Sequence, residues 1–154
     1  TIIVAGGRAC GCGRHGCFET YASASGLVRT TLNLLSEMKE PSPLRNIAPS
    51  ALTSKKISEA AADNDPVAVE AMDFTARKLA FGIINAIGFS SPEAVFLFGG
   101  LAKAGEALFK PVREYVEEGV QPIYRGTVKI LPSRVPESNA AVLGSAALMW
   151  NELK

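Results

Sequence analysis

Three cysteines crowded into eight residues constrain this chain more than any other feature. Cys10, Cys12 and Cys17 form the pattern C-x-C-x4-C and are all of the cysteines among its 154 residues. Thiolates this close together can surround one soft metal ion, and the glycines between them let the backbone turn tightly around it. An odd number of cysteines makes a poor disulfide framework, so the pattern favours a metal site in a reducing cytosol.

Composition narrows the kinds of partner that the chain can have. The net charge is +1 and hydrophobic residues make up 47% of the sequence, which is typical of an ordinary globular domain. This charge balance argues against an electrostatic surface for nucleic acid or for a membrane. The sequence has no apolar run near the roughly 20 residues of a membrane span and no signal-peptide pattern. We therefore expect a cytoplasmic protein without membrane contacts.

Apolar spacing and turn residues predict the first helices. Apolar residues three or four apart indicate a helix over 18–38, in which Gly26 marks a break or a close contact. Three prolines make 39–52 a loop. A short helix over Ser54–Ala62 follows, with Thr53 or Ser54 as its cap.

Asp65 followed by Pro66 is a strong signal for the start of a longer helix. The aspartate suits the N-cap, and the proline suits the first helical position. We expect this helix to end near Ile87, with Gly88 as its stop. Its second half is apolar on nearly every side, which predicts burial on more than one side.

Two apolar runs predict strands. Residues 94–98 read A-V-F-L-F and end at Gly99 and Gly100, which is typical of a central strand covered on both faces. A second strand is predicted over 127–131. Because helices alternate with these strands, we expect an α/β fold with a largely parallel sheet.

Two further helices and a partial strand complete the prediction. A helix over 103–118 is expected to be kinked or restarted by Pro111, and Ser138 is expected to cap a final helix that ends near Leu153. The β-branched run over 1–4 is typical of the tail of a strand that begins upstream. Since so few strands make a poor sheet, we expect the chain to be a piece of a longer protein.

The stretch C-G-C-G-R-H-G-C-F-E-T-Y-A-S resembles the signature C-x-C-G-x-x-G-C-x-E-x-x-x-S of the ROK family, which comprises bacterial sugar kinases and sugar-binding repressors. The match holds at every fixed position, including Glu19 and Ser23. Two further stretches resemble the family in the same order along the chain. They read I-S-E-A-A-A-D-N-D-P-V-A, followed by S-P-E-A-V-F-L-F-G-G, and N-A-A-V-L-G-S-A-A-L.

The resemblance implies a fold and a division of the chain. Residues 1–154 correspond to the C-terminal lobe of a two-lobed, actin-like (ribonuclease H-like) ATPase fold, with a zinc-binding loop over 6–18 and a helical and sheet part over 18–154. The family's phosphate-binding loop, its catalytic aspartate and its E-x-G-H motif correspond to positions upstream of Thr1. The resemblance therefore implies no catalytic residue within this chain.

The resemblance also implies the ligands of a structural zinc ion. In the family, three cysteines and one histidine of the E-x-G-H motif hold the zinc, which implies Cys10, Cys12 and Cys17 here. The alternative is three free thiols in a loop. His15 is the only histidine of the chain, and it is either a substitute fourth ligand or an exposed loop residue.

Two further sites are implied by the same resemblance. Glu19 is implied as an acceptor for a sugar hydroxyl, and its alternative is a first-turn helix acid favoured by the helix dipole. Gly99, Gly100 and Leu101 are implied as one wall of a nucleotide site, which suits the end of a strand in an open α/β sheet. Their alternative is a plain tight turn. Tyr21 is expected in the core rather than stacked on a sugar.

The function implied by the resemblance is phosphorylation of glucose or a related hexose by ATP with Mg²⁺ in the full-length protein. The expected partners are the sugar, ATP, the chain's own N-terminal lobe and a second copy in a homodimer. One alternative is the sugar-sensing domain of a ROK transcriptional repressor, which would bind DNA through an upstream helix-turn-helix. Another is a zinc-stabilised interaction module without ligand chemistry.

Overall fold

The computed structural model of the chain describes residues 1–135 and 140–152. It has the α/β architecture that the sequence predicts. The helices and strands are α1 (Ala24–Glu37), α2 (Ser54–Ala62), α3 (Pro66–Ser90), β1 (Ala94–Leu97), α4 (Glu106–Gly119), β2 (Lys129–Pro132) and α5 (Ala140–Glu152). The predicted loop over 39–52 contains two short 3-10 turns, Pro43–Asn46 and Pro49–Ala51.

β1 and β2 pair in parallel, which confirms the predicted parallel arrangement. Ala94 lies opposite Lys129, and Leu97 lies opposite Pro132. The second strand begins two residues later than the predicted range of 127–131. Because parallel strands end at the same edge, the segments after both strands lie next to each other.

The prediction that β1 is covered on both faces is wrong for the described residues. Val95 and Leu97 pack against the core. Phe96 lies between them and points to the opposite face, because successive residues of a strand alternate, and it is 63% exposed. Within 1–135 and 140–152, the helices therefore cover only one face of this strand.

α1 starts later than apolar spacing predicts. Phe18–Thr20 forms a separate 3-10 turn, and α1 begins only at Ala24. The hydroxyl of Ser23 accepts a hydrogen bond from the backbone N–H of Gly26 at 3.0 Å. Serine is a strong N-cap residue, and this cap fixes the start of the helix. Gly26 also makes the predicted close contact, since a Cβ there would lie 2.8 Å from the carbonyl group of Tyr21.

The predicted caps of α2 and α3 are confirmed, whereas two predicted interruptions are not. The hydroxyl of Thr53 and the carboxylate of Asp65 accept hydrogen bonds from backbone N–H groups in the first turns. The predicted stop of α3 at Gly88 is wrong, because the helix continues until Ser91 adopts a left-handed φ of 46°. α4 runs on through Pro111, so it is not restarted there, and the alternative of a kink at Pro111 stays a prediction.

α3 lies at the centre of the core, where α1, α2 and α4 all pack against it. The opposite side of its second half is open, since Phe81 is 49% and Phe89 is 94% exposed. The predicted burial on more than one side therefore does not extend to these two positions. The buried α3 residues are Val67, Ala68, Ala71, Met72, Thr75, Ala76, Leu79, Ala80, Ile83 and Ile87.

α5 matches the predicted final helix, and its predicted cap Ser138 lies outside the described residues. Large apolar side chains of α5 are exposed in this structure. Among the helices that the structure describes, none combines the length and the apolar character needed to cross a membrane. The exposed apolar residues of α5 are Val142, Leu143, Leu148, Met149 and Trp150.

A matched pair of valines on α3 tests this core. Val67 is fully buried, and Val69, two residues further on, is 45% exposed. Replacing either by alanine raises helix propensity by the same small amount, so the difference between the variants isolates burial. We expect Val67→Ala to lower the free energy of unfolding by about 2 kcal/mol relative to Val69→Ala in urea denaturation. Equal values for the two variants would contradict this packing.

Candidate metal and ligand site

The cysteines lie in a hairpin that is closed by backbone hydrogen bonds. The N–H of Cys10 donates to the carbonyl of Arg14 (2.9 Å), and the N–H of Gly13 donates to the carbonyl of Cys10 (3.0 Å). At the base, the N–H of Gly16 donates to the carbonyl of Arg8 (2.8 Å). These bonds hold the segment in a tight loop without any help from a regular sheet.

The run before the hairpin supports its base. Residues 1–4, predicted as the tail of a strand, make a single antiparallel bridge in which Ile2 pairs with Cys17. Two N–H groups of this run donate to the carbonyl of Gly16, at 2.9 and 3.2 Å. Gly16 has a φ of 76°, and a Cβ there would lie 1.6 Å from the carbonyl oxygen of Val4. Only glycine therefore fits at this position.

The hairpin brings all three cysteine sulfurs together. The Sγ atoms of Cys10, Cys12 and Cys17 lie within 4.8 Å of one another, and those of Cys12 and Cys17 are 3.5 Å apart. Two sulfurs on a tetrahedral zinc ion with bonds of about 2.3 Å would lie roughly 3.8 Å apart. The donor set and its spacing therefore fit one soft ion. His15 is exposed and, among the described residues, is not a member of this cluster.

Charge and burial act differently on two of the thiols. The Nε–H of Arg14 donates to the sulfur of Cys12 at 3.4 Å. This hydrogen bond is the largest of several, from Arg14, its backbone and the other two cysteines, that together lower the pKa of Cys12 to about 6. Burial raises the pKa of Cys17, because an apolar environment disfavours the thiolate. A bound cation would favour the thiolate form of all three cysteines.

Arg8 joins the hairpin to the helices, and sequence reasoning missed it. Its guanidinium donates to the carbonyls of Thr20 (2.9 Å) and Gly26 (3.3 Å) and lies 4.6 Å from the ring centroid of Tyr21. The backbone N–H of Arg8 donates to the hydroxyl oxygen of Tyr21 at 2.9 Å. Tyr21 is 5% exposed, which confirms its expected place in the core. No local motif marks Arg8, because its partners are distant in sequence.

The hairpin leads directly to Glu19. This residue is exposed on the 3-10 turn Phe18–Thr20, two residues after Cys17. Its backbone carbonyl accepts a hydrogen bond from the hydroxyl of Ser23 (2.7 Å), the residue that also caps α1. Because α1 begins only at Ala24, Glu19 lies outside its first turn, and the dipole of α1 does not account for an acid here.

The Gly99–Gly100 turn follows β1 and lies against the start of α1. Gly99 has a φ of 97°, and a Cβ on Gly100 would lie 3.8 Å from the Cβ of Ala24. A cavity of 330 Å³ opens at this turn, where both parallel strands end. It is lined by Leu97, Phe98, Gly99, Ala102, Lys103, Pro132, Ser133 and Val135.

A second cavity of 520 Å³ lies between α2 and the 3-10 turn Gly100–Ala104. Leu101 lines this cavity and is 8% exposed. The structure therefore separates the predicted nucleotide residues, with Gly99 at the first cavity and Gly100 and Leu101 at the second. Sequence reasoning missed the contribution of α2, since nothing local distinguishes its polar residues. They are Ser54, Lys55 and Ser58.

The sequence pattern of the ROK family matches residues 1–152. A glucokinase from Halalkalibacterium halodurans is 37% identical over 118 residues, which are 76% of this chain and 36% of that protein. The chain belongs to the ROK family. It spans 36% of the length of this curated relative.

Solved structures of both functional kinds in this family are similar to the chain. A ROK family glucokinase from Streptomyces griseus, in complex with glucose and AMPPNP, is 30% identical with a TM-score of 0.81, over 96% of this chain and 49% of that one. A ROK family transcriptional regulator, a homologue of the E. coli MLC protein, is 29% identical with a TM-score of 0.75, over 89% of this chain and 34% of that one. Both similarities support an α/β fold that this chain shares with the glucokinase and with the transcriptional regulator.

The lack of space for a side chain at Gly16 gives a direct test of the hairpin. We expect Gly16→Ala to open the hairpin, because its Cβ would overlap the carbonyl of Val4. Cys17, which is 4% exposed, should then react at least about tenfold faster with a thiol reagent in the metal-free chain. Mass spectrometry of the tryptic peptide that contains Cys17 gives the rate.

Gly11→Ala is the matched control for this substitution. No atom lies within 4 Å of a Cβ at Gly11, and its backbone is outside the left-handed region. Its labelling rate at Cys17 should equal that of the unsubstituted chain. Equal rates for Gly16→Ala and Gly11→Ala would show that the hairpin is not held as described.

Proposed function

We propose that this chain is part of an ATP-dependent sugar kinase that phosphorylates glucose or a related hexose. The observation that carries the proposal is the similarity of 96% of the chain, at a TM-score of 0.81, to a glucokinase described with glucose and AMPPNP. The geometry supports the same function. The segment that bears Glu19 and the Gly99–Gly100 turn meet at the start of α1, so one chain would contribute to both a sugar site and a nucleotide site.

In this proposal Cys10, Cys12 and Cys17 hold a structural zinc ion within a loop over 6–18. The spacing of their sulfurs supports this role, and the family resemblance implies a histidine upstream of Thr1 as the fourth ligand. Once bound, the ion would stabilise the folded hairpin, because its binding free energy adds to the free energy of folding. The backbone bonds of the hairpin and the contacts of Arg8 then hold the neighbouring segment in place.

Glu19 is proposed to accept a hydrogen bond from a sugar hydroxyl. Its exposure leaves the carboxylate accessible, and the Ser23 hydrogen bond to its backbone carbonyl restrains the turn that carries it. A carboxylate held by a rigid loop binds a hydroxyl donor without a large loss of conformational entropy. The charge makes this hydrogen bond stronger than one to a neutral acceptor.

Gly99, Gly100 and Leu101 are proposed to form one wall of the nucleotide site, where the full-length protein would bind ATP with Mg²⁺. The cavities on both sides of this turn support the proposal. Lys103 lines both of them, and its ammonium would complement phosphate oxygens. Because Gly99 and Gly100 have no Cβ, a ligand could approach the backbone of this turn closely.

We further propose that residues 1–154 are the C-terminal lobe of a two-lobed, actin-like enzyme, with the helical and sheet part over 18–154. The catalytic aspartate and the phosphate-binding loop would then belong to an N-terminal lobe. The intact protein is proposed to be a cytoplasmic homodimer. Phosphoryl transfer depends mainly on positioning and charge stabilisation, so it would require both lobes.

The second candidate is the sugar-sensing domain of a ROK transcriptional repressor. The similarity to a ROK transcriptional regulator, at a TM-score of 0.75, favours this alternative. Both candidates bind a sugar, and only the kinase transfers phosphate to it. An assay of the full-length gene product with glucose and ATP distinguishes them: turnover supports the kinase, and glucose binding without turnover supports the repressor.

Glu19→Gln tests the sugar-binding role in the full-length protein. We expect the KM for glucose to rise roughly 10- to 150-fold, because a charge-assisted hydrogen bond contributes about 1.5–3 kcal/mol. The KM for ATP should stay within about twofold, since the proposed nucleotide wall is unchanged. Glu37→Gln, at the exposed end of α1, is the matched control and should change neither value. An unchanged KM for glucose in Glu19→Gln would show that Glu19 does not bind the sugar.

The 154-residue chain alone is expected not to phosphorylate glucose. The proposed assignment places the general base and the phosphate-binding loop outside it, and positioning alone can supply roughly 7–11 kcal/mol of a reaction barrier. Coupled detection of glucose 6-phosphate, with the full-length gene product as positive control, measures this. Turnover by the repurified chain above the buffer blank would show that the catalytic half is assigned wrongly.

A further inference from the structure

We propose that Cys12 and Cys17 form a peroxide-sensitive pair, whose oxidation to a disulfide opens the metal site. The proposal rests on the zinc site proposed above and adds a covalent modification site to it. The two sulfurs lie 3.5 Å apart, against about 2.05 Å in a disulfide. The backbone hydrogen bonds of the hairpin hold both cysteines near each other, and the two sulfurs need to approach by about 1.5 Å for the bond to form.

Exposure gives the two cysteines different roles. Cys12 is exposed, whereas Cys17 is 4% exposed. Cys10 is half-buried, so Cys12 is the exposed cysteine of the three, and a solvent-accessible sulfur is the one that a dissolved oxidant reaches first. Cys12 therefore reacts with the peroxide, and Cys17 attacks the oxidised Cys12 to form the disulfide.

The chemistry takes place in two balanced steps with hydrogen peroxide as the oxidant. The sulfur of Cys12 attacks one peroxide oxygen, the O–O bond breaks, and the products are a sulfenic acid at Cys12 and one water after proton transfer. The sulfur of Cys17 then attacks the sulfur of Cys12, the S–O bond breaks, and a second water leaves. Two thiols and one peroxide thus give one disulfide and two waters; in the zinc-loaded chain the two sulfurs are thiolates, and the two protons come from solvent.

Oxidation removes two of the three sulfur donors at once. Cys10 would remain as the single thiolate of the hairpin, and one thiolate does not make a closed zinc site. The zinc ion is therefore expected to leave as the disulfide forms, and reduction with a phosphine should restore its binding. Because Glu19 follows Cys17 by two residues, the same oxidation acts next to the proposed sugar contact.

The cysteine positions make the experiment direct. Trypsin cleaves after Arg8, Arg14 and Arg29, so Cys10 and Cys12 leave together in the peptide 9–14 and Cys17 leaves in the peptide 15–29. The full chain is loaded with Zn²⁺ under nitrogen and treated with one equivalent of hydrogen peroxide. A chromogenic chelator follows zinc release while mass spectrometry measures a crosslink between the two peptides. We expect one zinc ion released for each crosslink, with both changes reversed by the phosphine.

Two serine variants identify the pair. Cys10→Ser should keep the crosslink after peroxide, and Cys12→Ser should lose it. A crosslink that survives in Cys12→Ser and disappears in Cys10→Ser would overturn the proposal, as would a disulfide confined to the peptide 9–14. Zinc that stays bound to an uncrosslinked chain after peroxide would overturn it as well and would leave the zinc site standing.

Failure of the zinc site gives a different result. A chain that takes up no zinc before peroxide contradicts the proposed metal loop. The crosslink is then measured in the metal-free chain, where its formation between Cys12 and Cys17 supports the oxidisable pair and its absence overturns that pair. The two proposals therefore fail separately.

Discussion

Three sulfur atoms held within 4.8 Å of one another are the constraint on which the rest of the site depends. Thiolates at this distance repel one another unless a cation lies among them, so the hairpin must either keep protons on its sulfurs or bind a metal. The backbone has little freedom to relax, because there is no room at Gly16 even for a Cβ, which would overlap the carbonyl oxygen of Val4. The crowding of the sulfurs is thus built into the loop, and it is compatible with the zinc ion proposed above.

A series of contacts links the hairpin to both proposed ligand sites. Arg8 ties its base to Tyr21 and to the backbone at the start of α1. Ser23 then caps α1 and holds the carbonyl of Glu19, and the first residue of α1 lies against the Gly100 turn. If both sites are as proposed, a disturbance at the cysteines would affect the proposed sugar contact at Glu19 before the proposed nucleotide wall.

Local signals in the sequence predicted the parts of the fold that depend on neighbouring residues. Short patterns predicted the Asp65 cap and the start of α2, and the alternation of helices with apolar runs predicted the parallel pair of strands. The start of α1 was misplaced because apolar spacing continues through the 3-10 turn, and the hydroxyl of Ser23 decides where the helix begins. Arg8 and the polar residues of α2 were missed, since their role arises only from contacts between segments distant in the sequence.

X-ray absorption at the zinc edge of the zinc-loaded chain tests the metal loop most directly. We expect one zinc ion per chain with about three sulfur neighbours at roughly 2.3 Å and one lighter ligand. Cys10→Ser should lower the sulfur count by one while the remaining distances stay the same. A chain that binds no zinc, or a zinc ion surrounded only by nitrogen and oxygen, would contradict the proposal that the three cysteines organise this part of the protein.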